Sequence, residues 1–254
     1  MTDKVKVKKS VSRYLWRQSE QRDRLRRTLE GIAERLDDTF IFGGMIREFG
    51  LGNSRAFNSD IDVVSLSSRN EIFSAIKEYS PRMNKFGGYR FFVNKQLFDI
   101  WSFEDTWAFK NGLVEGKSSE DIFKTTFFNL DAAAFHLKAK KFSCSENYIS
   151  ALRSRLLDLN LEENPSPSGM VRRAIKMAIE NELSVTRRLG EYILSNANAK
   201  DLDFFANSFV RALDQFLSSS EREVFSFSPQ RCLFEDFDKH AVIEERLVDE
   251  LFSN

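Results

Sequence analysis

An apolar run, Thr39-Phe40-Ile41-Phe42, stops at two consecutive glycines, and the chain turns at once from Gly43-Gly44 into Met45-Ile46-Arg47-Glu48-Phe49. No other stretch limits the fold as tightly. A strand that ends in Gly-Gly and opens directly into a short helix brings the unpaired first-turn amides of that helix to the end of the strand. Glycine at this junction also allows another group to approach the backbone closely. A polar stretch from Gly50 and Gly52 to Ser59 leads to a second strand, Ile61 to Leu66.

The surrounding pattern extends this nucleus. Leu25, Leu29, Ile32 and Leu36 recur at helical spacing, which predicts a helix over 10–37 with Ser10 as its cap. Glu71 to Tyr79 reads as another helix. Gly87-Gly88 opens a hairpin with strands Tyr89 to Val93 and Leu97 to Phe103 around Asn94-Lys95-Gln96. Asp131 to Leu137 adds a strand. From Ser145 onward the reading is helical almost throughout, with Asn164-Pro165-Ser166-Pro167-Ser168-Gly169 as linker and helix start. The expected class is therefore α+β: a small mixed β-sheet with flanking helices over 1–150, then an all-helical part over 151–254.

Composition excludes several alternatives. A hydrophobic fraction of 42% with 25 Phe in 254 residues is enough to build a core and argues against disorder. Trp101, Trp107, Phe123, Phe127 and Phe128 are expected in that core. No apolar run approaches the ~20 residues of a membrane span. The start, MTDKVKVKK, lacks the apolar segment of a secretory signal. Cys144 and Cys232 are too few for a disulfide framework or a zinc site, so a cytoplasmic location is expected. Net charge is zero but uneven. Residues 1–50 carry 12 Lys/Arg against 8 Asp/Glu, and residues 200–254 carry 6 against 12, so a polyanion would meet the front of the chain more readily than the back.

The chemistry concentrates on carboxylates. In Ser59-Asp60-Ile61-Asp62-Val63-Val64, alternation puts Asp60 and Asp62 on one face and turns Ile61 into the core. Two carboxylates at that spacing repel unless a cation sits between them, and Mg²⁺ is held by one or two carboxylates together with substrate phosphates. Asp99 stands in the apolar strand Leu97-Phe98-Asp99-Ile100-Trp101, where an unpartnered acid is costly. Beside Asp60 and Asp62 it completes a three-carboxylate set for two ions. His136 and His240 show no Ser/His/Asp or Cys/His pairing along the chain.

Phe42 to Glu48 followed by Ser59 to Val64 resembles the head domain of the CCA-adding tRNA nucleotidyltransferases and bacterial poly(A) polymerases, in the polymerase-β-like superfamily. The family pattern is a Gly-Gly turn, a helix with an Arg and an acid, then Asp-x-Asp on the next strand. Lys124 to Ala132 resembles the family's Arg-Arg-Asp-(three residues)-Asn-Ala segment, with Asn129 at the Asn, Lys124 replacing an Arg and Thr125 replacing the Asp. Arg172 to Ala178 resembles the neck helix, with Arg173 and Lys176 at its basic positions. The family's Glu-Asp-x-x-Arg motif, which selects the base, has no counterpart here.

The resemblance implies a nucleotidyltransferase head followed by a neck-like part. It implies Mg²⁺, or Mn²⁺, on Asp60 and Asp62, to which the strand reading adds Asp99 as the third metal carboxylate and catalytic residue. Gly43, Gly44, Arg47, Asn129, Arg173 and Lys176 would bind the nucleotide. The expected activity moves an NMP from an NTP to a hydroxyl acceptor, an RNA 3′ end and tRNA above all, with no membrane partner. The alternatives are a catalytically retired binding or regulatory module, and a toxin or defence enzyme modifying tRNA or a protein.

Overall fold

The computed structural model describes residues 3–16, 19–54, 57, 59–198 and 202–227. Cys232, His240 and the acidic stretch from 228 on lie outside the described residues. Two compact units result, 1–165 and 166–254, whereas the sequence pattern placed the change at 150/151.

In the first unit the predicted helix over 10–37 is two helices, α1 (Asp3–Leu15) and α2 (Glu20–Arg35). Ser19, not Ser10, is the cap of α2: it sits in extended backbone, and its hydroxyl accepts from the amide of Arg22 at 3.3 Å. That local bond replaces continuation of the preceding helix. Then follow β1 (Thr39–Phe42), α3 (Gly44–Leu51), β2 (Ile61–Ser65), α4 (Arg69–Ile76), β3 (Arg82–Met83), β4 (Tyr89–Val93), β5 (Gln96–Ser102) and α5 (Trp107–Lys110). The unit continues with β6 (Ala133–His136), β7 (Lys141–Cys144), α6 (Tyr148–Ser154) and β8 (Leu156–Leu157). Tyr148 of α6 is fully buried in the same core as α1–α4, which is why this stretch stays with the sheet.

Seven strands form one mixed sheet in the order β3-β4-β5-β2-β1-β6-β7. Only β2 and β5 run parallel; the other neighbours are antiparallel. Alternation divides each strand between two layers. Ile41, Ile61, Val63, Phe98 and Ile100 pack with Met45, Ile46 and Phe49 of α3 and with α1, α2 and α4. Phe40, Phe42 and Val64 face the other way, against Phe103, Ile122 and Phe123. The expected core aromatics Phe123, Phe127 and Phe128 are buried, while Trp101 and Trp107 are half-buried. The β4–β5 turn is shorter than expected. Asn94 and Lys95 both have positive φ, 50° and 68°, the requirement of a two-residue type I′ turn, so Gln96 already belongs to β5.

The second unit contains α7 (Pro167–Glu180), β9 (Ser184–Thr186), α8 (Arg187–Asn196), α9 (Phe204–Ser219) and β10 (Val224–Phe225). Its core joins Val171, Ala174, Ile175, Leu189, Ile193, Phe209 and Leu213. To the expected helices it adds the antiparallel pair β9–β10. No helix among the described residues is long and apolar enough to cross a membrane.

Candidate functional site

The junction after β1 has the expected form. Gly43 caps α3 with φ 68° and ψ −123°, a conformation open to glycine and strained for other residues. Gly43 has no side chain with which to cap the helix, and the first-turn amides of a helix have no partner within it. The Gly43 amide itself donates to the Ala133 carbonyl at 3.2 Å and so ties the turn to β6. Because β1 and β2 are antiparallel, with Phe40 opposite Val64 and Ile41 opposite Val63, the end of β1 lies beside the start of β2. The glycines and the Asp-x-Asp pair therefore share one end of the sheet.

Asp62 and Asp99 are direct partners in the parallel β2–β5 ladder, with Asp60 just before β2. Oxygens of all three carboxylates lie within 4.8 Å of one another. Among the described residues this is the one group of three acidic or metal-ligating side chains with such spacing. Directly opposed like charges destabilise a sheet, and three hard oxygen donors suit a divalent cation.

The sequence reading missed a cation here. Arg90 on β4 stands opposite Asp99. Its Nε and Nη2 donate to the two oxygens of Asp99 at 2.9 and 2.5 Å. The Asp99 hydrogen bond and charge, with smaller contributions from Asp60 and Asp62, push the Arg90 guanidinium above the ordinary arginine range. The signal was present in the chain: once the turn is Asn94-Lys95, counting back along both strands sets Arg90 against Asp99.

Arg47 is not brought to the cluster as a free cation. It is 8% exposed. Its Nε donates to Glu48 at 3.0 Å and its Nη1 to Asp131. Burial works against its charge, but Asp131 and Glu48 outweigh burial and raise its pKa. The guanidinium thus braces α3 against the residues before β6. Asn129 is likewise engaged: its Nδ2 donates to the Leu156 carbonyl at 3.0 Å and its Oδ1 accepts from the Asp158 amide at 3.0 Å. Its side-chain amide pins the chain to the segment around β8. Lys124 pairs with Asp121, and the Thr125 hydroxyl donates to the Ile122 carbonyl. Arg173 and Lys176 lie on the exposed face of α7 in the second unit, Lys176 3.8 Å from Glu180.

His136 has partners that chain spacing did not reveal. Its Nδ1 lies 3.0 Å from an Asp38 oxygen, and its Nε2 lies 2.8 Å from Ser143 Oγ. This row links the entry to β1 with β6 and β7.

No protein-family model and no curated protein matches the chain. Solved structures do. A Thermotoga maritima CCA-adding enzyme complexed with tRNA matches with a TM-score of 0.54 and 17% identity over 73% of this chain and 44% of that one. A CCA-adding enzyme complexed with CTP matches with a TM-score of 0.54 and 16% identity over 75% and 44%. The same comparison with a complex holding ATP gives 0.53 and 17% over 75% and 44%. The chain thus spans less than half the length of these proteins. In fold the chain resembles these CCA-adding enzymes.

Proposed function

We propose that the chain is a divalent-metal-dependent nucleotidyltransferase that moves an NMP from an NTP to the 3′ hydroxyl of an RNA, with tRNA the favoured acceptor. The observation that carries this reading is the convergence of Asp60, Asp62 and Asp99 within 4.8 Å at the strand end where Gly43-Gly44 opens α3. The first-turn amides of α3 hold the triphosphate through hydrogen bonds and the helix dipole. Asp60 and Asp62 hold Mg²⁺, or Mn²⁺, which when bound neutralises the phosphate charge. Asp99 takes the proton of the acceptor hydroxyl as its oxygen bonds to the α-phosphorus and the bond to the departing pyrophosphate breaks. Arg47 and Asn129 act as braces.

A second reading, a retired binding module, draws support from the two hydrogen bonds by which Arg90 occupies Asp99. One experiment separates the two. The protein is incubated with each α-labelled NTP, Mg²⁺ or Mn²⁺ and total RNA, and the products are sized on a gel. Labelled RNA is expected with the parent and not with Asp60→Asn or Asp62→Asn. Full activity in either variant refutes the metal assignment, and NTP binding without transfer under any condition favours the retired module.

A further inference from the structure

Four residues stand in register across neighbouring strands. Arg82 on β3 opposes Arg90 on β4, Arg90 opposes Asp99 on β5, and Asp99 opposes Asp62 on β2. Directly opposed residues of neighbouring strands project from the same side of a sheet. The row therefore runs along one face, from the edge strand to the carboxylate cluster. Phe92 lies two residues beyond Arg90 on β4, so alternation places it on this face too.

Two features of the row are unfavourable in the protein alone. Arg90 is already paired with Asp99, but Arg82 directly opposite it has no ion-pair partner among the described residues, and like charges so opposed disfavour the sheet. Phe92 is 63% exposed beside them, the most exposed of the large hydrophobic residues described. Both features become favourable against one kind of ligand. An anion shared by two guanidiniums relieves their repulsion, and phosphate geometry suits their planar forks. An exposed ring flanked by cations is the arrangement on which an unpaired base stacks.

Arg90 can change partners. Its side chain is 51% exposed while that of Asp99 is 11% exposed, so the arginine can swing toward an arriving phosphate and the carboxylate stays in the strand. That exchange would free both Asp99 oxygens when the acceptor arrives.

We propose that Arg82, Arg90 and Phe92 form the acceptor subsite, which takes the last phosphodiester and an unpaired base of a single-stranded nucleic-acid 3′ end. This rests on the nucleotidyltransferase reading, which supplies the reason for an acceptor beside Asp99. The subsite needs no metal ion for its own contacts.

The test is fluorescence anisotropy of a labelled single-stranded RNA 12-mer in EDTA, with parent, Arg82→Gln and Phe92→Ser proteins. Mg²⁺-dependent NTP affinity is measured separately by calorimetry. Phe92→Ser is expected to weaken RNA binding roughly tenfold, within the range of one base–aromatic stack. Arg82→Gln is expected to weaken it and to flatten the slope of log affinity against log salt by about 0.7, the value for one phosphate contact on a single strand. NTP affinity is expected to hold in both. Parent-like RNA binding by both variants overturns the proposal, as does an equal loss of NTP affinity, which would make this face a triphosphate site. If RNA binding falls as expected while the parent binds no NTP with Mg²⁺, the subsite stands and the nucleotidyltransferase reading fails.

Discussion

Replacing Arg47 by Met separates the nucleotide contact expected from the sequence from the brace seen in the structure. Arg47 and Asp131 are 8% and 7% exposed, and their ion pair joins α3 to the residues before β6. Met keeps much of the volume and removes the charge. Glu48 retains a partner, since Asn53 Nδ2 donates to it at 3.0 Å, and it is the more exposed of the two acids. Asp131 instead loses its guanidinium inside the protein. Breaking one side of a buried pair costs up to about 3–5 kcal/mol. For a cooperative unit of this size that corresponds to a fall in Tm of roughly 6–20 °C. The assay is thermal and urea denaturation of Arg47→Met, Asp131→Asn and the double variant. The coupling energy from the cycle is expected to be at least about 1 kcal/mol, and the double variant should be less damaged than the two single losses added together. An Arg47→Met protein that melts like the parent while its Mg²⁺–NTP affinity collapses would refute the reasoning and return Arg47 to the triphosphate.

Gly43→Ala is expected to cost about 1–3 kcal/mol through backbone strain alone, because φ is 68° and no atom lies within 4 Å of the added Cβ; urea unfolding at parent stability would contradict this. Asp99→Asn is expected to keep Mg²⁺–NTP binding and lower transfer at least ~10²-fold, the low end of what a positioned base contributes, and parent-like turnover would remove Asp99 from the chemistry. Asp121 is lowered to about 2 by its bond to Lys124 and by the Ser118 amide. Its folded value is depressed, so the stability it adds is complete above the ordinary value of 3.8 and is lost as pH falls toward 2. The Tm gap between parent and Asp121→Asn should therefore close between about pH 4 and 2; a constant gap would show that the carboxylate charge is not what stabilises this turn.

Much of the candidate site is local in sequence. A strand, two glycines and a helix start specify the turn at Gly43, because only glycine occupies that backbone region without strain. Period-two alternation is enough to put Asp60 and Asp62 on one face and Ile61 and Val63 in the core, as the structure has them. Arg90 opposite Asp99 was within reach of the same kind of counting, since a two-residue turn sets the register of a hairpin. The choice of Ser19 over Ser10 as a helix cap was not, because both stand before apolar-periodic residues and packing decides between them. What only the tertiary structure decided is which side chains meet across distant segments. Arg47 with Asp131, Asn129 with the 156–158 backbone and His136 with Asp38 join residues 84, 27 to 29 and 98 positions apart. Periodicity tells a residue which face it occupies but not which element will cover that face. A buried cation and a phosphate-binding cation therefore read alike in sequence, and they part only when the packed core either supplies a carboxylate or leaves the guanidinium to solvent.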